Sequence, residues 1–131
     1  MRAAPAYPAG TVRRMGEDGR SSTVPLKVSV QRVGDVSIVS VGGELDLAGA
    51  SAVRAAFRRI DAATRRIVLD FSRLEFIDSV GLTLTLREQA RAIRAGRDFV
   101  VAGAGPEIVR VFHLAGIDEE VRFAPHARAA I

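Results

Sequence analysis

The 131-residue chain has no cysteine and no tryptophan, a single tyrosine and two histidines. Without cysteine it can form neither a disulfide framework nor a thiolate zinc site. With only His113 and His126 available, a histidine-rich metal centre is not expected, and no cofactor is expected either. No apolar run approaches the roughly 20 residues needed to span a bilayer, and no charged-then-apolar leader precedes the fold. The expected setting is therefore the cytoplasm, with no membrane partner. The formal charge is +4, mostly from arginine, but the basic residues are dispersed. Arg2, Arg13, Arg14 and Arg20 against Glu17 and Asp18 give residues 1–25 a net +2, which leaves only +2 for the rest. No basic run is longer than two residues, and no aromatic platform is interleaved with one. A nucleic-acid partner is not expected on that pattern.

What is present is enough for one domain, since a chain of this length can bury about two thirds of its unfolded surface. Residues 1–25 are rich in Ala, Pro, Gly, Arg and Ser and show no periodicity. Such a segment buries too little apolar surface to offset the entropy of ordering it, so it reads as a disordered tail before a domain at 26–131. Leu26, Val28 and Val30 alternate with polar residues, as in a strand with one wet face. Gly34-Asp35 is a two-residue turn, and Val36–Val41 folds back to complete a hairpin. Gly42-Gly43 is expected to end that strand. A helix follows from about Ala48 to Ala63, with Val53, Ala56, Phe57 and Ile60 on its apolar face and Arg54 and Arg58 opposite.

Arg66–Phe71 has an unbroken Ile67-Val68-Leu69 run, the mark of a central strand covered on both faces. A second helix, from about Val80 to Ala95 and stopped by Gly96, has a core stripe read as Leu82, Leu86, Ala90 and Ile93. Arg87, Arg91 and Arg94 share one of its faces, either solvated or turned to a partner. Asp98–Ala102 is a further strand, and Glu107–Ala115 a short helix with Pro106 at its start. Val121–Phe123 is a last strand, followed by a closing turn of helix. The Gly103-x-Gly105 pair lacks the third glycine of a dinucleotide loop. Strands alternating with helices imply right-handed crossovers and a mixed, mostly parallel sheet. The expected architecture is α/β, with four to five strands, an N-terminal hairpin and three to four helices.

The stretch Phe76-Ile77-Asp78-Ser79-Val80-Gly81-Leu82 lies where a buried strand and its loop hand over to a helix. Ser or Asp at that point can cap the free amides of the first turn. The same amides and the helix dipole make the spot receptive to phosphate. Four stretches in order then resemble the STAS domain family of anti-sigma factor antagonists and sulphate-transporter tails. They are Gly43-Glu44-Leu45-Asp46, Val68-Leu69-Asp70-Phe71, the Phe76–Leu82 stretch, and Val109–Phe112 with Leu114–Ile117. The resemblance covers residues 26–123.

That resemblance implies an anti-sigma factor antagonist whose partner is an anti-sigma factor that is also a serine kinase, and whose phosphoacceptor is Ser79. A serine phosphatase acting on the modified Ser79 would reverse the switch. Asp46, Asp78, Val80, Gly81, Leu82 and Thr83 are the expected partner-binding or phosphosite-supporting residues. Two positions depart from the family pattern. Val80 stands where Ser or Thr is frequent, and Thr83 where glycine is frequent, which bears on the partner more than on the fold. Asp46 reads either as a cap for the helix near Ala48 or as a contact to the kinase site or its magnesium. Asp78 divides between capping and orienting Ser79, while Asp70 reads as structural.

A serine hydrolase is not expected. Ile77 breaks the Gly-x-Ser-x-Gly elbow, and neither histidine lies where a base for Ser79 would be. The chain is therefore expected not to be an enzyme. The alternative job for the same fold is a scaffold or regulatory module of a transporter or stress-signalling complex, not controlled by Ser79 phosphorylation.

Overall fold

The structure, a computed structural model, describes Arg14–Met15, Ser21–Ser22 and residues 26–131. Strands β1 (Arg14–Met15) and β2 (Ser21–Ser22) pair antiparallel with each other. The rest of the tail expected at 1–25 lies outside the described residues. Strands β3 (Lys27–Val33) and β4 (Val36–Leu45) form the hairpin. Its turn places Gly34 at φ 62°, a left-handed conformation that glycine adopts without cost. Val28 and Val30 face inward and Lys27 and Gln31 outward, as their alternation requires.

Beyond the hairpin the sheet is parallel. Its order is β3-β4-β5-β7-β8, with β5 at Arg66–Asp70, β7 at Asp98–Ala102 and β8 at Phe123–Ala124. A sixth strand, β6 (Leu74–Ile77), lies off this path beside β4. The sequence reads residues 72–75 as a loop and Gly42-Gly43 as the end of a strand; Ser72 and Arg73 do form a turn, but Leu74 and Glu75 belong to β6 and the glycines lie within β4. Strand β4 runs ten residues, pairs with β5 from Val36 to Ser40, then pairs with β6 from Gly43 to Leu45, with a shift of register between Gly43 and Glu44. The glycines make this possible. Gly43 has φ 89°, and a Cβ on Gly42 would come within 3.2 Å of Arg73 Cβ. The pair lets β4 change partner rather than stop.

Helix α1 (Ala50–Arg58) follows β4, and α2 (Ser79–Arg94) follows β6. Helix α3 (Pro106–Leu114), a 3-10 turn at Asp118–Glu120 and the short α4 (Ala127–Ala130) complete the chain. The sequence carries α1 on to Ala63, but the helix ends earlier. There the Asp61 carboxylate accepts a hydrogen bond from the Ala63 amide at 2.7 Å, a local turn that competes with helix.

The main core joins one sheet face to the helices through Val39, Leu69, Val101, Val53, Phe57, Leu84 and Phe112. On the other face, Ile38, Val68 and Val100 pack with Ala130 of α4. Ile67 and Leu69 thus point one way and Val68 the other, which is why their run is unbroken. The core stripe expected on α2 holds at Leu82 and at half-buried Leu86, but not at Ala90 and Ile93. Ile93 is 62% exposed and Ala90 is exposed, while Leu84, Thr85, Glu88 and Ala92 face inward with Leu82. Counting apolar residues alone misses this face, because two of its members are polar. Thr85 is tolerated there because its hydroxyl donates to the Gly81 carbonyl at 2.9 Å.

Candidate functional site

The pairing of β4 with β6 brings two acidic residues to one edge of the sheet. Leu45 lies opposite Ile77, and the Asp78 amide donates to the Leu45 carbonyl at 3.2 Å. Asp46 and Asp78 therefore leave adjacent strand ends. Asp46 is buried, and its carboxylate accepts from the Gly49 amide at 3.3 Å. Helix α1 begins only at Ala50, so Asp46 closes the turn before the helix rather than capping a helix at Ala48. Asp70 likewise closes a turn, accepting from the Ser72 amide at 3.0 Å.

Asp78 is the N-cap of α2. Its backbone is extended, and one carboxylate oxygen accepts from the amides of Val80 at 3.0 Å and Gly81 at 3.1 Å. Ser79, the first residue of the helix, is exposed, and its hydroxyl has no side-chain hydrogen bond among the described residues. Two side chains that share the capping reading in the sequence thus take different positions. The aspartate satisfies the amides and the serine faces out. Asp78→Ala is accordingly expected to cost about 1 kcal/mol of stability, whereas Ser79→Ala should stay within about 0.5 kcal/mol. Denaturant melts of the two variants measure this, and equal losses would mean that both side chains cap the helix.

Behind Ser79 the helix is seated tightly. A Cβ on Gly81 would lie 2.6 Å from Ile77 Cγ1 and 2.9 Å from the Leu45 carbonyl oxygen. Only glycine lets the first turn of α2 approach the ends of β4 and β6 this closely. Leu82 is buried beneath it, Val80 is half-buried and Thr83 is exposed. Of the six expected supporting residues, Gly81 and Leu82 hold the helix from inside, and Thr83 shares the outer surface with Ser79.

Ser79 and Thr83 open on a groove of about 260 Å³ between α1 and α2, lined also by Arg54, Arg87, Arg91 and Glu88. Arg54 and Glu88 were not singled out for the site by the sequence. Their only signal is an arginine pair four residues apart on each helix, Arg54 with Arg58 and Arg87 with Arg91, and nothing local shows that the two pairs face each other. Glu88 is 5% exposed, and Arg91 Nε lies 4.0 Å from its carboxylate.

Burial pushes the Glu88 carboxyl above its ordinary range, while Arg91, Arg58 and Arg54 pull it back. The folded protein thus keeps a proton on Glu88 at pH values where the unfolded chain has lost it. Its contribution to stability therefore declines as pH rises above the unfolded value of 4.5. Glu88→Gln should flatten that decline, read as Tm against pH from 4.5 upward. An unchanged slope would assign the decline to other groups.

Among the described residues no three His, Cys, Asp or Glu side chains gather closely enough to hold a metal ion. No helix among them is long and apolar enough to cross a membrane.

A mixed sheet opened by a hairpin, with an exposed serine on a helix seated against the end of a split strand, defines a STAS-type module. Comparison with known proteins agrees. The family model described as "Mlab, STAS domain" matches residues 28–124. The anti-sigma-F factor antagonist RsfB of Mycobacterium tuberculosis is 34% identical over 98 residues, 74% of this chain and 80% of that protein. A crystal structure of an anti-sigma factor antagonist from Mycobacterium paratuberculosis superposes with a TM-score of 0.72 at 31% identity, covering 80% of this chain and 90% of that one. The anti-sigma factor antagonist SpoIIAA of Bacillus, in its unphosphorylated form, shares the fold with a TM-score of 0.64 at 23% identity, over 79% of this chain and 92% of its own. The chain belongs to the STAS domain family.

Proposed function

We propose that this protein is an anti-sigma factor antagonist controlled at Ser79. In its unmodified form it binds an anti-sigma factor, itself a serine kinase, and so frees a sigma factor. Phosphorylation of Ser79 ends the binding, and a serine phosphatase restores it. The protein acts by binding and not by catalysis, and it works in the cytoplasm. Residues 26–131 carry the activity, and residues 1–25 are a dispensable tail.

The observation that carries this reading is the separation of roles at the start of α2. Asp78 satisfies the helix amides, which leaves the Ser79 hydroxyl exposed and uncommitted. A kinase can modify it without removing a cap. A phosphate adds a charge of about −1.5 to −2, and the helix N-terminus tolerates that charge. The helix therefore survives, and the consequence falls on whatever docks there. The 34% identity to an anti-sigma-F factor antagonist over most of both chains supports the same reading.

The test is to recover the partner by affinity purification from the source cell, incubate it with ATP and this protein, and map the product by mass spectrometry. Phosphate on Ser79, absent from Ser79→Ala, is expected. Modification elsewhere, or none with a partner that binds ATP, would sink the switch.

A further inference from the structure

We propose that the groove between α1 and α2 is an intramolecular receptor for the phosphate on Ser79, which Arg54 and Arg87 hold in place. This rests on the reading of Ser79 as a phosphoacceptor and adds where the phosphate goes. Ser79, Arg54 and Arg87 line the same groove. Both arginines are exposed, and neither makes a salt bridge or side-chain hydrogen bond among the described residues.

The groove's third guanidinium, on Arg91, is near the Glu88 carboxylate at 4.0 Å. Arg54, Arg87 and Arg91 against Glu88 leave the unmodified groove formally basic by two charges, close to what a phosphoserine dianion neutralises.

The two arginines come from different helices, Arg54 from α1 and Arg87 from α2. Arg87 is eight residues after Ser79, about 12 Å along the helix axis. Helical side chains lean toward the N-terminus, so the Arg87 guanidinium leans back toward Ser79, while Arg54 approaches across the groove from α1. Guanidinium groups bind phosphate with paired, charge-assisted hydrogen bonds, which makes arginine the suitable residue here. A partner would then meet two changes at once. A phosphate appears at Ser79, and the basic groove beside it is neutralised.

The experiment installs phosphoserine at position 79 during translation and titrates it by phosphorus NMR, comparing the parent with Arg54→Gln, Arg87→Gln and the double variant. A free phosphoserine has its second pKa at about 6. The parent should titrate lower. In the double variant the midpoint should rise by at least about 0.5 pH, with intermediate values in the single variants. Thermal melts of all four proteins confirm that each is folded. A double variant that titrates within about 0.2 pH of the parent overturns the proposal, because the helix amides alone would then account for the parent's value. So does any rise short of about 0.5 pH. No kinase takes part, so an unchanged titration defeats the groove and leaves the Ser79 switch intact. Failure of the switch itself would appear in the mass-spectrometric mapping.

Discussion

Ser79→Asp is expected to melt within about 1 °C of the parent and to bind its anti-sigma factor at least 100-fold more weakly, since a charge buried at an interface costs several kcal/mol through desolvation or like-charge repulsion. The stability half of the expectation follows from Asp78. That carboxylate already accepts from the Val80 and Gly81 amides, so a carboxylate at position 79 neither replaces a cap nor removes one. Its charge also lies at the favourable end of the α2 dipole. The affinity half follows from exposure, because Ser79 and Thr83 present one outer surface. Ser79→Ala should bind as the parent does and escape release by the kinase. Tm and partner affinity, measured together for both variants, separate the outcomes. A folded Ser79→Asp protein that binds like the parent would remove the electrostatic switch. Unfolding of both variants would make Ser79 a structural residue.

The second large effect lies in the core. Leu69→Ala should cost about 2–5 kcal/mol and Phe57→Ala about 3–5 kcal/mol. Leu69 is fully buried in β5, with Val39 and Val101 beside it on the neighbouring strands. It has main-core packing on one face and cannot exchange its lost contacts for water. Phe57 stacks on Phe99 of β7 with ring centroids 6.3 Å apart and planes at 21°, so its removal opens space between α1 and the sheet. Urea unfolding of each variant gives the cost directly. Losses under about 1 kcal/mol for both would mean that α1 does not pack on the central strands.

Much of the architecture is legible in local chemistry. The alternation of Leu26, Val28 and Val30, the Gly34-Asp35 turn and the unbroken Ile67-Val68-Leu69 run each name an element and its environment. The order of elements around them implies a mostly parallel sheet. The handover from strand to helix at Asp78-Ser79 is equally plain, since caps, turns and periodicity depend on neighbours in sequence. These features also carried the family resemblance, and with it the candidate phosphoacceptor.

Four things were decided only by tertiary structure. Leu74–Ile77 became a strand because the second half of β4 was free to receive it; with Glu75 and Phe76 exposed between buried Leu74 and Ile77, it carries no alternation of its own. Helix α2 buried Thr85 and Glu88 in preference to Ala90 and Ile93, because the sheet and α1 set its rotation. Asp78 took the cap and left Ser79 outside, where the Asp78 amide is tied to the Leu45 carbonyl of β4. The groove exists only where α1 and α2 meet, since Arg54 and Arg87 are separated by 32 intervening residues. In each case the deciding contacts join segments distant in the chain. Local residue types set which elements can form, and the long-range packing of those elements sets which faces are buried and which side chains share a site.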